Sequence, residues 1–335
     1  MARCLFCERE FEKLTEEHVF PAALGGKLVV QNSVCTECNN GFSKFEQPLA
    51  KELAPIRLLL RIPDRYGNTP QVAATAKTQE KEYEARVKSD GSVQLKPIVT
   101  VVDGPNGSKE IVFQFATEQQ KEKLRREAQE KRSQFIKSEP GEGQEAEIHV
   151  SGDLKFIGSP EGLRAAAKIG YVALALIAGI GFAARPAFSA VRDYIKTGST
   201  KPSARLFVHE TFLAAVETGP HQHSVIIAGR HDKRRVDAIV RLFGGLAYFV
   251  VLSDNYDGAD FFHTLIYDAY RGETDGMLFS NEQAEFLQTE DAATSAATIW
   301  DDVARSGEWF VNFLDASIKA KFASEPEKAR NAPLR

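Results

Sequence analysis

The stretch C-L-F-C at residues 4–7, T-E-E-H-V-F-P-A-A-L-G-G at 15–26 and C-T-E-C-N-N at 35–40 decides the fold of the amino-terminal region. All four cysteines of the 335-residue chain lie in it, as two C-x2-C pairs. Thiolates two residues apart on a tight turn can point at one ion, and two such turns complete a tetrahedral four-sulfur shell suited to Zn2+. Such a shell leaves no position open to water. Cys4, Cys7, Cys35 and Cys38 therefore predict a structural staple and, by themselves, no chemistry. A zinc ribbon that only binds a partner would carry the same two pairs.

The residues between and after the pairs add more. Glu17 and His18 place a carboxylate beside an imidazole, and a short apolar run, Pro21 and the Gly25-Gly26 turn follow. Asn39 comes directly after the last cysteine, where T-E-C-N-N-G-F-S-K-F-E reads as the start of a helix. This combination resembles the HNH endonuclease superfamily with its ββα-metal fold, in the branch written C-x2-C, E-H-x-x-P-x-x-L-G-G, C-x2-C-N.

The resemblance spans roughly residues 4–60 and implies a set of roles. Glu17 and Asn39 correspond to ligands of a catalytic divalent ion, Mg2+ or Mn2+, and His18 to the general base. The chemistry is consistent: a hard cation prefers oxygen ligands and stabilises charge on a phosphate. An imidazole that titrates near neutrality can accept a proton from water. The family's central asparagine would fall on Val30, and Asn32, two positions later, is expected to buttress the loop in its place. Where some members carry another ligand, this chain has Ser43. Glu46 lies two helical turns past Asn39 and hence on roughly the same face, which makes it a candidate outer-sphere or third ligand. A solvated helix carboxylate is the alternative for Glu46.

Composition bounds the rest. With 43% hydrophobic residues the chain can bury a full core, and its length suits two domains. The formal net charge is −4, which excludes a global basic footprint for nucleic acid. Residues 1–66 hold nine basic and nine acidic side chains, so any phosphate contact must be local. Arg57, Arg61 and Arg65 recur at fourth positions and, on a helix continuing from 47 to 62, would line one face; an ordinary solvated stripe is the alternative. Leu53, Ile56, Leu59 and Leu60 are expected to dock that helix. M-A-R-C-L-F-C has no apolar core of a signal peptide, and reduced thiols suit a cytoplasmic location.

Residues 70–115 alternate as an antiparallel meander with turns at D-G and D-G-P-N-G-S. A charged helix is expected from Thr117 to Lys137, with seven basic and three acidic residues over 121–137, as a DNA-backbone face or a solvated helix. S-E-P-G-E-G-Q-E then reads as a loop. Ser159-Pro160-Glu161 open a helix that runs into I-G-Y-V-A-L-A-L-I-A-G-I-G-F-A-A at 169–184. These sixteen uncharged residues between Lys168 and Arg185 fall short of the roughly 20 that cross a bilayer. A buried helix is expected there, then a helix capped by Gly198. Segments at 204–216, 222–229 and on either side of Gly244-Gly245 predict a second antiparallel sheet. His221-x-His223 lacks the partners of a metal site. Residues 253–310 carry 13 acidic side chains against two arginines, a surface that repels DNA and would mask the active site, meet a protein partner or activating ligand, or simply be solvated.

The expected protein is therefore α+β. Residues 1–66 form the HNH-like ββα-metal zinc module, 67–325 a larger mixed α+β region for targeting or regulation, and 326–335 a disordered tail. The resemblance implies a metal-dependent endonuclease hydrolysing DNA, with a defence or restriction role by analogy. A homodimer would serve to cut both strands. The alternative is a zinc-bearing factor that binds nucleic acid or protein without cutting.

Overall fold

The computed structural model describes residues 1–77, 82–89, 92–95, 98–103, 109–115, 126, 135–140, 147–149, 158–198, 203–207 and 218–274. The chain divides into two compact units: Met1–Thr69 with Asp153–Ala332, and Pro70–Gly152 with Pro333–Arg335. The fold is mixed α+β with predominantly antiparallel sheets, as expected.

In the first unit, two-residue strands β1 (Ala2–Arg3) and β2 (Glu10–Phe11) pair around the first cysteine turn. Strands β3 (Thr15–His18) and β4 (Val29–Val34) form a second antiparallel ribbon, joined through a 3-10 turn at Ala22–Leu24. Helix α1 (Thr36–Glu52) follows, started by Cys35, whose sulfur accepts from the Cys38 amide. Its apolar stripe of Phe42, Phe45 and Leu49 is buried, at the spacing that an amphipathic helix presents to a core. Helix α2 (Ala54–Leu59) is short, and Arg61 adopts φ +54° just beyond it. The arginine row is thus not one helical face. Arg57 is buried, Arg61 and Arg65 are exposed, and Leu59 is exposed where docking was expected.

The second unit contains β5 (Val72–Lys77), β6 (Glu82–Val87), β7 (Val93–Leu95), β8 (Ile98–Asp103), β9 (Lys109–Phe115), β10 (Phe135–Pro140) and β11 (Glu147–His149). The expected meander is divided between two sheets, ordered β11-β5-β6-β7 and β10-β9-β8. Residues 135–140 correct the sequence reading, which had them as a helix end and a loop: they are a strand parallel to β9. The rest of the charged segment, the turns around residues 90 and 106, the segment from 208 to 217, the acidic stretch past 274 and the tail 326–335 lie outside the described residues.

Returning to the first unit, helix α3 (Pro160–Ala178) opens as predicted, with Ser159 Oγ accepting from the Gly162 amide and Pro160 at the first position. It is buried on nearly every side. A short turn of helix α4 (Ile180–Ala183) and helix α5 (Ser189–Thr197) follow, the latter ending at Gly198 with φ +66°. Strands β12 (Ala204–Leu206), β13 (Gln222–Arg230), β14 (Arg235–Leu242), β15 (Leu246–Ser253), β16 (Phe261–Asp268) and β17 (Glu273–Thr274) form one antiparallel sheet in the order β12-β15-β14-β13-β16-β17. Helix α3 packs on this sheet at Gly170, where a Cβ would stand 3.4 Å from Ala238 Cβ and from Val240 Cγ2, in close van der Waals contact. The other side of α3 meets α1, so the helix is a shared core for sheet and amino-terminal module. Among the described residues no helix is long and apolar enough to cross a membrane.

Candidate functional site

The four cysteine sulfurs lie within 4.8 Å of one another. The first turn is closed by Cys4 N–H to Arg9 O at 2.9 Å and Glu8 N–H to Cys4 O at 3.0 Å. Amides point at the sulfurs: Cys35 N–H donates to Cys4 Sγ at 3.3 Å and Cys38 N–H to Cys35 Sγ at 3.5 Å. Cys4 is pulled down to about 4, chiefly because it accepts from the Cys38 thiol, with burial opposing; Cys38 is pushed up correspondingly. A crowded, amide-lined set of four sulfurs fits a structural Zn2+. It ties the amino-terminal turn to the first turn of α1 and so orients the helix against the β3–β4 ribbon.

On β3, Thr15 and Glu17 face the helices, Glu16 is exposed, and His18, at the strand's end, lies within reach of the charges of Lys168, Arg65, Glu16 and Glu46. Asn39 reaches across from α1, its amide nitrogen donating to Thr15 Oγ1 at 3.2 Å and to Glu16 O at 3.4 Å. Glu17 and Asn39 are thus brought to the same side of the strand. Glu46 joins them, two helical turns along α1. Asn32 does not. It is exposed in a bulge of β4, where residues 31–33 lie opposite Glu16, and it adopts φ +50°. That left-handed conformation suits an asparagine for backbone reasons alone. Ser43 bonds locally in the helix, to Asn40 O at 2.6 Å.

Lys168 of α3 escaped the sequence reading, which used it only to mark the start of the uncharged run. Its fully buried ammonium contacts both Glu17 Oε1 and Glu46 Oε1 and lies 3.3 Å from His18 O. The Phe42 ring lies beneath it at 5.4 Å. A lone charge behind A-A-A in a helix too apolar for the surface was the available signal: it demands a buried counter-ion.

Burial works against the Lys168 ammonium, but Glu46 and Glu17 outweigh it and hold its pKa above the ordinary value. Burial also raises Glu17, with Glu46 adding to the rise and Lys168 opposing. Two carboxylates around one ammonium leave the deeper of them hardest to ionise. Glu17 Oε2 is buried and finds no hydrogen-bond donor among the described residues. His18, half-buried, is held below its usual pKa by burial and by the positive charges of Lys168 and Arg65, so its ring is neutral near pH 7.

The strand end carrying these groups is pinned from behind. The Tyr267 hydroxyl donates to Gly25 O at 2.9 Å and accepts from Lys27 N–H at 2.8 Å. His223 Nδ1 accepts from Phe243 N–H at 3.1 Å, so its Nε2–H donates to Leu24 O at 3.1 Å. Burial pushes His223 down to about 4, and it stays neutral as a brace. His221 Nε2 lies 3.2 Å from Leu60 O, so the two histidines serve loops and not a metal. Arg57 binds the carbonyls of Ala23 and Ile62. The two glycines are steric requirements: Gly25 has φ +91°, and a Cβ on Gly26 would stand 1.9 Å from Phe20 O.

Residues 4–54 match a family model described as HNH endonuclease. No curated protein and no solved structure matches the chain. The matched span covers both cysteine pairs, Glu17, His18, Asn39 and Glu46, and stops well before Lys168. Residues 4–54 of this chain thus match the HNH endonuclease family model, and the same span holds a four-cysteine cluster suited to zinc.

Proposed function

We propose that this protein is a metal-dependent endonuclease that hydrolyses phosphodiester bonds of DNA, with Glu17 and Asn39 as ligands of the catalytic ion and His18 as general base. The observation that carries this reading is Glu17 Oε2, a buried carboxylate oxygen with no donor among the described residues, one residue from a neutral imidazole. Buried acceptors are rarely left unpaired without a function. The donor set is oxygen-rich, as Mg2+ or Mn2+ requires: with its amide nitrogen engaged by Thr15 and Glu16, Asn39 has Oδ1 to offer. Such an ion, when bound, would stabilise charge on the scissile phosphate and the departing oxygen.

The chain's own groups do the rest. His18 takes the proton of the attacking water on a ring nitrogen, and its lowered pKa keeps that nitrogen free. Arg65, close enough to His18 to depress it, is the exposed cation placed to meet a neighbouring phosphate. The zinc staple and the Tyr267 and His223 braces keep strand and helix in register. A large attached region suits target selection or regulation through a partner or ligand, and restriction of foreign DNA is the role that such an architecture serves best.

One observation favours a second reading. The Lys168 ammonium already satisfies one oxygen of Glu17 and one of Glu46, as a binding module that does not cut would need. Incubating supercoiled plasmid with zinc-loaded protein in Mg2+, Mn2+ or EDTA separates the two. Nicking that needs the ion and disappears in His18→Ala, with zinc content unchanged, is the expected result. DNA retention without nicking favours the second reading, and cleavage by His18→Ala at the parent rate overturns the proposed mechanism.

A further inference from the structure

An ammonium carries three N–H donors, and each Lys168 donor has an acceptor: Glu17 Oε1, Glu46 Oε1 and His18 O. Two of these are carboxylates on the ββα module, and the third is the backbone of the proposed base. A cation held between two acidic side chains occupies the kind of environment that a divalent ion takes, with one unit of charge in place of two. It also explains how two carboxylates coexist in the core, since without it they would repel each other in a medium that screens poorly. Access is from one side: the Glu17 and Lys168 side chains are 3% and 1% exposed, whereas that of Glu46 is 21% exposed.

We propose that Lys168 belongs to the nuclease site as a positioning residue, and that its ammonium competes with a divalent cation for Glu17 and Glu46. The proposal rests on the reading of Glu17 as a metal ligand. By holding Oε1 of Glu17, Lys168 fixes the carboxylate so that Oε2 remains for the ion. By its charge it weakens that ion's binding, and full occupancy requires the ammonium to release Glu46. The site is thus closed by a side chain from outside the matched module, and its metal affinity is set by α3.

The test is Mn2+ binding to the zinc-loaded full chain, read by the electron paramagnetic resonance signal of free Mn2+ and by the melting temperature with and without Mn2+. Lys168→Met is expected to bind Mn2+ at least tenfold more tightly than the parent and to gain more thermal stability from it. Glu17→Gln is expected to lose Mn2+ binding. If Glu17→Gln keeps the parent's affinity, the reading of Glu17 fails whatever Lys168 does. If Glu17→Gln loses binding but Lys168→Met binds no more tightly than the parent, competition is overturned and Lys168 is a structural ion-pair partner only. Absence of Mn2+ binding in every protein removes both. Should Lys168→Met fail to fold, Lys168→Met/Glu46→Gln removes the ammonium with one partner carboxylate. Tighter binding than in Glu46→Gln alone then supports the proposal, and equal or weaker binding overturns it.

Discussion

Tyr267→Phe deletes one oxygen and leaves the ring packing in place, including the stack on Phe20 at 5.6 Å between centroids. That oxygen makes two bonds in a site where Tyr267 is 1% exposed, donating to Gly25 O and accepting from Lys27 N–H. Phenylalanine would leave a buried carbonyl and a half-buried amide unpaired, at about 1–2 kcal/mol each, or about 2–4 kcal/mol together. At roughly 2–4 °C per kcal/mol for a unit of this size, the melting temperature should fall by about 4–16 °C. Calorimetry of the zinc-loaded protein measures the fall, and plasmid nicking measures its consequence at His18, which lies at the end of the strand that this turn anchors. Activity should drop while zinc content holds. A melting temperature within about 1 °C of the parent, with full activity, would refute the claim that the Gly-Gly turn is fixed by this hydroxyl.

Other outcomes follow from the same geometry. Gly26→Ala places a methyl group against Phe20 O and should lower stability by more than about 3 kcal/mol, read as loss of folded protein in a urea titration. Because a base acts in its neutral form and the pKa of His18 lies below its ordinary 6.5, cleavage should hold as pH falls to that value and drop only beneath it. Arg65→Gln removes one of the charges that depress His18, so the acid limb of the pH–rate profile should move to higher pH; an unmoved limb would separate Arg65 from the site. Cys35→Ser should release zinc, as measured by metal analysis, and melt the ββα module, since structural zinc contributes on the order of 10 kcal/mol to folding. Retention of one zinc per chain would show that three sulfurs suffice.

The staple and the ribbon were legible because their signals are local. Cysteines two apart, a Gly-Gly turn and a cysteine followed by asparagine specify turns and a helix start within a few residues. Ser159 and Gly198 likewise announced the helix ends that they cap. What escaped the reading depends on partners far along the chain. Lys168 is a surface-type residue until α3 is known to lie between α1 and the sheet. Arg57, Arg61 and Arg65 share a spacing, but the spacing means a face only while a helix persists, and α2 stops at Leu59. Phe135–Pro140 became a strand through pairing with β9, which overrides a charged, proline-bearing local sequence. Asn32 was expected to buttress the loop, and its left-handed backbone in the β4 bulge gives a conformational reason for an asparagine there that local sequence does not reveal.

The ion pair on Lys168 also bears on how the protein is made. His18 and Lys168 are 150 residues apart, and the whole of Pro70–Gly152 is synthesised between them. At ribosomal elongation speeds this interval lasts about 8–30 s. Throughout it the nascent amino-terminal module lacks the helix that neutralises its acidic interior. The Lys168 ion pairs therefore form only once about half of the 335-residue polypeptide has been made, and the strands that carry His223 and Tyr267 are added later still.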